Sequence, residues 1–352
     1  MGAKAFFGVL TLAVAPSAFA DNAVSDWLVN MSDAARNATY QGVVIYRGND
    51  VLDTFRVTHR NQDGNELERV TSLNGETRDI LKENDKVICL FPNDRRMSVN
   101  RPTPKGLFPR LNPEHLKQVG QLYRFTDLGK ARVAGRICHG VAVTPKDKFR
   151  YGYEIWADAE TSVPLKVNMI GQNGVMLEQM MFTEVEFPAA IPDVAFQMPM
   201  PAPAPATATL NPTLPAMMAM PSQQPLPPPL VSAVPSAPAP SPAAAWVLDQ
   251  LPPGFRVTLR EVREMPDHRG TVEHLLVSDG LTVISVFSAE RPSPSKALNG
   301  VSQIGAVNAY GRMIGSFHIT VVGEAPAETV KMIGDNLKQA QVSDTKLTGV
   351  GP

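Results

Sequence analysis

Met198-Pro199-Met200-Pro201-Ala202-Pro203-Ala204-Pro205 begins a run that divides the chain in two. Fifteen prolines fall between Pro199 and Pro242, and no Asp, Glu, Lys or Arg occurs between Asp193 and Asp249. Proline lacks an amide donor and fixes φ, so neither a helix nor an inner strand can pass through. The composition predicts extended polyproline II, a semi-rigid spacer rising about 3.1 Å per residue. Beside the spacer reading stands a second, a proline-rich ligand for a partner's aromatic groove, for which the sequence specifies no partner. With 352 residues the chain is long enough for two domains. Residues 193–245 read as the linker, 21–192 as a first domain and 246–348 as a smaller second one.

The first twenty residues read as an address. Lys4 is a short basic region, Ala5 to Ala15 an apolar core, and Ala18-Phe19-Ala20 the small-x-small pattern of a signal peptidase site, which predicts cleavage between Ala20 and Asp21. The apolar run is shorter than the ~20 residues that span a bilayer. The expected mature protein is exported and soluble. A net charge of −1, or −2 once Lys4 is removed (Lys and Arg falling from 33 to 32 against 34 acids), supplies no global field for nucleic acid.

Ahead of the linker the apolar period is first helical and then two. Ser25-Asp26 precedes Trp27, Met31, Ala35 and Ala38, a helical stripe. From Gln41 alternation takes over, and Asp63-Gly64 and Asn74-Gly75 are hairpin pairs that tolerate φ > 0. Asn112-Pro113-Glu114 starts a second helix, with a capping Asn and Pro at the first helical position. The pattern gives about eleven strands and two helices, an antiparallel sheet long enough that it must curl or close, with the helices as natural fillers for its concave side. In the last strand, Val175, Leu177, Met181, Val185 and Phe187 are assigned to one face and Glu178, Glu184 and Glu186 to the other, an alternation that Met176, Met180 and Phe182 interrupt. Met169, Met176, Met180 and Met181 either form an adaptable apolar surface or fill gaps in the core.

After the linker, Leu251-Pro252-Pro253-Gly254-Phe255 turns into a strand reaching about Val262. Alternating runs follow around Val272–Val277, Leu281–Phe287, Ala306–Met313 and Phe317–Val322. Pro326 opens a last helix expected to place Val330, Ile333 and Leu337 on one face. The second domain therefore reads as a small antiparallel sheet under a helix, and the whole chain as mainly β with α, of the α+β class.

Chemistry-bearing motifs are few. No CxxC, HExxH, GxSxG, P-loop or GxGxxG is present, and Gly300-Val301-Ser302-Gln303-Ile304-Gly305 misses the nucleophile-elbow spacing by one residue. The six histidines are scattered without metal-ligand spacing. No catalytic residue, cofactor or metal is expected. Cys89 and Cys138 are the only cysteines, and in an oxidising compartment they are either a disulfide or two buried thiols. Arg95, Arg96, Arg101, Lys105 and Arg110 share a stretch with Leu107, Phe108 and Leu111. Such a mixture can hold an amphiphile's phosphates while its chains are buried nearby, or it is simply a solvated loop.

Several stretches together resemble the RseB/MucB family, periplasmic regulators of the envelope-stress sigma factor. They are Tyr40-Gln41-Gly42 with Val44-Ile45-Tyr46, Arg132-Val133-Ala134-Gly135-Arg136, Tyr151-Gly152-Tyr153-Glu154-Ile155-Trp156, Leu165-Lys166 and Leu177-Glu178-Gln179. In the second domain they are Leu251 to Phe255, Ser278-Asp279-Gly280-Leu281 and Val321-Val322-Gly323-Glu324. The resemblance implies a first domain like the carriers LolA and LolB, an unclosed antiparallel β-barrel around helices, and a second domain that engages the partner. It implies binding to the periplasmic region of a membrane-spanning anti-sigma factor, shielding it from the site-one protease until lipopolysaccharide or the acyl chains of a mislocalised lipoprotein release it. A homo-oligomer is compatible with this reading. The alternative is a periplasmic lipid or lipoprotein carrier built on the same barrel. The long, uncharged linker departs from the family pattern.

Overall fold

The computed structural model describes residues 18–48, 51–84, 86–91, 95–100, 113–197, 246–264, 271–290 and 297–340; the proline-rich linker lies outside them. Helix α1 (Ala18–Asn37) leads into strands β1 (Tyr40–Gly48), β2 (Val51–Gln62), β3 (Asn65–Ser72), β4 (Asp79–Glu83), β5 (Lys86–Phe91) and β6 (Arg95–Asn100). Helix α2 (Pro113–Leu122) follows, then β7 (Tyr123–Val133), β8 (Arg136–Pro145), β9 (Gly152–Asp158), β10 (Pro164–Ile170) and β11 (Met176–Glu186). All eleven strands form one antiparallel sheet in the order β6-β5-β4-β3-β2-β1-β11-β10-β9-β8-β7. Two meanders thus meet where β11 pairs with β1. The sheet curls far enough for Val133 and Cys138, near one end of the order, to share a core cluster with Tyr40, Val44 and Val57. Its end strands β6 and β7 do not pair, so the barrel is unclosed. The two helices fill its hollow, with Leu28, Met31 and Val119 buried against Val143, Tyr153, Ile155 and Met169.

The broken alternation in β11 has a local cause. Val43 pairs with Glu184 but Val44 with Phe182, so Thr183 is the extra residue of a β-bulge. The bulge reverses which side chains face the hollow, because antiparallel partners share a face. Phe182, opposite Val44, and Val185, opposite Gly42, therefore lie on the same face, while Met181 is opposite Ile45 on the other. The single alternation expected for this strand is corrected accordingly. Gly42 is required beside the bulge, since a Cβ there would lie 2.2 Å from the Glu184 carbonyl oxygen.

Helix α1 starts at Ala18, earlier than the Ser25-Asp26 signal predicts, and so runs through Ala20 and Asp21. No Pro or Gly occurs between Ala18 and Asn37, so nothing breaks the turn ahead of the capping pair. The carbonyls at its C-terminus need donors. Asn61 Nδ2 supplies Arg36 at 3.1 Å, and His59 Nδ1 supplies Ala38 at 2.7 Å. A carbonyl only accepts, so Nδ1 of His59 must carry the proton. The ring's other nitrogen faces Glu66 at 3.8 Å, and Glu66 also accepts from Lys82 at 2.8 Å. His59, Glu66 and Lys82 are all buried.

The second domain runs β12 (Trp246–Leu248), β13 (Arg256–Glu264), β14 (Thr271–Ser278), β15 (Val283–Glu290), β16 (Gly300–Ile304), β17 (Val307–Ile314), β18 (Phe317–Gly323), α3 (Ala327–Asp335) and β19 (Leu337–Gln339). Six strands form an antiparallel sheet in the order β13-β14-β15-β18-β17-β16, and β12 pairs with β19. Val330 and Ile333 of α3 share a core with Leu275, Val277, Ile284, Val286, Ile319 and Val321. Leu337 joins this core from β19 and not from the helix, which ends at Asp335. Gly300 to Ile304, a near miss for a nucleophile elbow by spacing, is simply the edge strand β16.

Burial by itself would raise the Glu66 carboxyl, but hydrogen bonds from His59 and Lys82, and their charges, outweigh it and hold the group down at about 2. A depressed carboxyl stabilises the fold above its unfolded value near 4.5 and loses that contribution as pH falls toward 2. Urea unfolding of Glu66→Gln should therefore show a flatter stability profile between pH 5 and pH 2 than the parent, with a loss on the order of 2–3 kcal/mol at neutral pH.

Candidate functional site: the seam between the domains

The loop Lys146-Asp147-Lys148-Phe149-Arg150 joins β8 to β9 and delivers Arg150 into the protein interior, where its side chain is fully buried. A buried guanidinium is tolerable only if its donors are answered. Asp147 takes Nε and Nη2, each at 3.0 Å, in a bidentate pair from the same loop. The remaining acceptors come from the second domain: Asp279 Oδ2 at 2.7 Å from Nη1 and the Pro253 carbonyl at 2.5 Å from Nη2. Tyr123 and Phe255, one from each domain, set their rings 5.5 and 5.0 Å from the guanidinium carbon.

Asp279 is equally well held. Its Oδ1 accepts from the amides of Leu281 and Thr282 at 2.9 and 2.7 Å, and its Oδ2 also accepts from the Tyr123 hydroxyl at 3.0 Å. Burial, then the neighbouring Asp279 charge, pushes the Tyr123 phenol well above its ordinary value, so it remains a donor. Apolar groups cross the seam as well. Leu281 and Ala306 of the second domain are buried in the core cluster that contains α1, α2 and β9, and Phe149 packs against the core of the second domain. At Gly254, φ is 79°, and a Cβ would lie 2.4 Å from a Leu122 methyl. Around this centre, Asn308 donates to the Tyr151 hydroxyl (3.0 Å), Thr329 to the Phe149 carbonyl (2.9 Å) and the Ala306 amide to Glu178 (3.1 Å).

Four of the eight sequence stretches on which the family resemblance rests meet here. Leu251 to Phe255 provides Pro253, Gly254 and Phe255; Ser278 to Leu281 provides Asp279 and Leu281; Tyr151 and Glu178 answer from the first domain. Their shared role is to join the domains. Arg150 and Tyr123 escaped the sequence reading because their partner in Asp279 lies 129 and 156 residues away. The only local signal was an arginine set between Phe149 and Tyr151 at the mouth of a buried strand.

The residues singled out by sequence fall elsewhere. Cys138 carries a free, buried thiol, which burial, then the Asp158 charge, pushes up to about 11. Cys89 stands on β5, with seven strands between it and β8 in the sheet order. Arg95 and Arg96 stand on the edge strand β6, paired with Phe91 and Leu90 of β5. Arg101, Lys105 and Arg110 lie outside the described residues. Ala20 and Asp21 are in the first turn of α1. A cavity of about 340 Å³ opens beside the seam, lined in part by Val143, Pro145, Lys148, Tyr153, Glu154 and Ile170. Among the described residues no cluster of His, Cys, Asp or Glu is placed to hold a metal ion.

Comparison with known proteins covers both domains. Residues 23–200 match the MucB/RseB N-terminal domain and residues 240–338 the MucB/RseB C-terminal domain. The sigma factor AlgU regulatory protein MucB of Pseudomonas aeruginosa is 27% identical over 321 residues, covering 89% of this chain and 90% of that protein. The sigma-E factor regulatory protein RseB of Escherichia coli K12 is 25% identical over 312 residues, covering 88% and 89%. Among solved structures, the Pseudomonas aeruginosa MucA/MucB complex contains a chain matched with TM-score 0.66 and 26% identity, covering 91% of this chain and 99% of that one.

Removing one member of a buried, hydrogen-bonded ion pair costs about 3–5 kcal/mol, whereas replacing both by apolar groups costs little. Arg150→Met should therefore lower the unfolding free energy by that amount and raise the radius of gyration in small-angle scattering as the seam loosens. Arg150→Met with Asp279→Leu should recover much of the loss. A full loss in the double variant would show that the seam depends on the charges themselves.

Proposed function

Because the chain belongs to the MucB/RseB family, we propose that it is a periplasmic regulator of an envelope-stress sigma factor. It binds the periplasmic region of a membrane-spanning anti-sigma factor and shields that region from the first proteolytic cut. Lipid, or the acyl portion of lipopolysaccharide, releases it. The observation that carries the reading is the match along both domains to a MucB chain solved with MucA. The seam supports it physically, because it fixes the two domains as one body and so creates a single composite surface for a protein partner.

The fold also limits how a lipid can act. Leu28 and Met31 of α1 occupy the hollow of the barrel, so an acyl chain gains that apolar surface only by displacing the helix. Release of the partner requires that lipid bind the partner-free form more tightly. A swing from 1:99 to 99:1 takes about 5.5 kcal/mol, which about seven buried methylenes supply at ~0.8 kcal/mol each. One acyl chain is sufficient.

The direct experiment is calorimetry of the chain from Asp21 onward with the periplasmic region of the anti-sigma factor from the same genome. Binding is expected, and lipopolysaccharide should weaken it while accelerating amide exchange in α1 around Leu28 and Met31. Binding indifferent to lipid would remove the sensing step, and absence of binding would remove the regulator reading. For the basic stretch, Arg95→Glu together with Arg96→Glu is expected to weaken lipopolysaccharide binding more than anti-sigma binding; equal losses would point to general unfolding.

A further inference from the structure

The two large sheets present four edges, and three carry charge. Strand β6 has Arg95 and Arg96; β7 has Arg124, Asp127, Lys130 and Arg132; β13 has Arg256, Arg260, Glu261, Arg263 and Glu264. Charged side chains on an edge discourage another strand from pairing there. The fourth edge, β16, reads Gly300-Val301-Ser302-Gln303-Ile304 and has neither a charge nor a proline. Residues 301 to 304 are all exposed, including Val301 at 47% and Ile304 at 45%.

We propose that the outer edge of β16 receives an extended, uncharged segment of the anti-sigma partner as an added strand. This rests on the partner reading above and names the element that does the binding. The hairpin register identifies the groups that would take part. Ile304 pairs with Val307 across a two-residue turn, and the pairing continues through Ser302 with Ala309 to Gly300 with Gly311. In a two-residue hairpin the closing pair exchanges both hydrogen bonds, and such pairs alternate. Ile304, Ser302 and Gly300 are therefore bonded to β17, while the N–H and C=O of Val301 and Gln303 point away from it. Among the described residues no strand pairs with them. A peptide laid along the edge meets two donors and two acceptors in strand spacing, with Val301 and Ile304 on opposite faces to receive alternate apolar side chains.

The edge is also held ready. The turn residue Ala306 is fully buried in the core of the first domain, and its amide bonds to Glu178, so the seam anchors the hairpin. An anchored edge costs little further order on binding. Glu178 is opposite Gly48, which is opposite Val51, and Val51, Leu52 and Val175 are exposed around that rim. A segment leaving β16 at its Ile304 end thus runs toward more apolar surface. Five residues a side fall far short of the roughly 20–30 a side of a stable protein interface, which disfavours a second copy pairing edge to edge and suits a peptide segment that continues onto the rim.

The test uses the full mature chain and the periplasmic region of the anti-sigma factor from the same genome. In residue-resolved hydrogen exchange, complex formation should protect the amides of Val301 and Gln303, while that of Ser302 is already slow in the free protein. Gln303→Pro, which removes an outward donor, should weaken binding about tenfold or more, the loss of one or two net hydrogen bonds. Gln303→Lys keeps the backbone donor and should weaken binding by placing a charge on the edge. A complex that forms while both outward amides exchange as before overturns the proposal and leaves the regulator reading standing. Failure of the unaltered chain to bind removes both. Where Gln303→Pro lowers the melting temperature, the exchange measurement on the unaltered chain decides.

Discussion

The arrangement of the molecule depends on one constraint, that a guanidinium carried inside by the loop after β8 must find acceptors for its donors. The first domain supplies Asp147 and then runs out; Asp279 and the Pro253 carbonyl have to come from the second. A buried ion pair adds little net stability, because desolvation offsets most of the attraction. Its effect is to select. A small rotation of one domain on the other would strand Arg150 and Asp279 in the interior without partners, at a cost of several kcal/mol. Only one docking geometry satisfies Arg150, Asp279 and Tyr123 together. A flexible or extended connection between the domains could not provide that selection.

The same economy appears in the barrel. Strand β11 lies beside the central strand β1 in the sheet order and must serve two neighbours that make different demands. Opposite β1 it contributes Phe182 and Val185 to the hollow, with the bulge at Thr183 absorbing the change of parity. At its other end it presents Glu178 to the Ala306 amide of the second domain. A bulge commonly re-aims side chains in this way. Here it lets one strand give Phe182 to the core and serve as a joint near its other end.

Much of the fold was legible in the sequence, for physical reasons that differ from element to element. The meander could be read because Asp63-Gly64, Asn74-Gly75 and the alternation around them are local signals, and local signals survive folding. The start of α1 and the edge strand β16 were missed because each lacks such a signal. Alanine continues a helix past a good cap, and five residues without turn chemistry do not announce pairing. The parity change at Thr183 depends on β1, more than a hundred residues earlier. The seam was the least legible part. The motifs that contribute to it were noticed as resemblances, but what each touches was invisible, since Arg150 and Asp279 become neighbours only after both domains exist. The two cysteines left an open choice, because pairing depends on where distant strands come to lie and no local signal carries that.

Leu281 and Ala306 sit in the core cluster of the first domain, together with Leu28 and Met31 of α1. Chains are made from the N-terminus, and domains generally fold in that order as they emerge. This one cannot finish so. The helix and strands of the first domain are complete by Glu186, yet the residues that cap its interior arrive about a hundred positions later, across the proline-rich stretch. Until then the hollow around Leu28 and Met31 has an open side. Closing the interior of the first domain therefore waits on the second, which carries a core of its own.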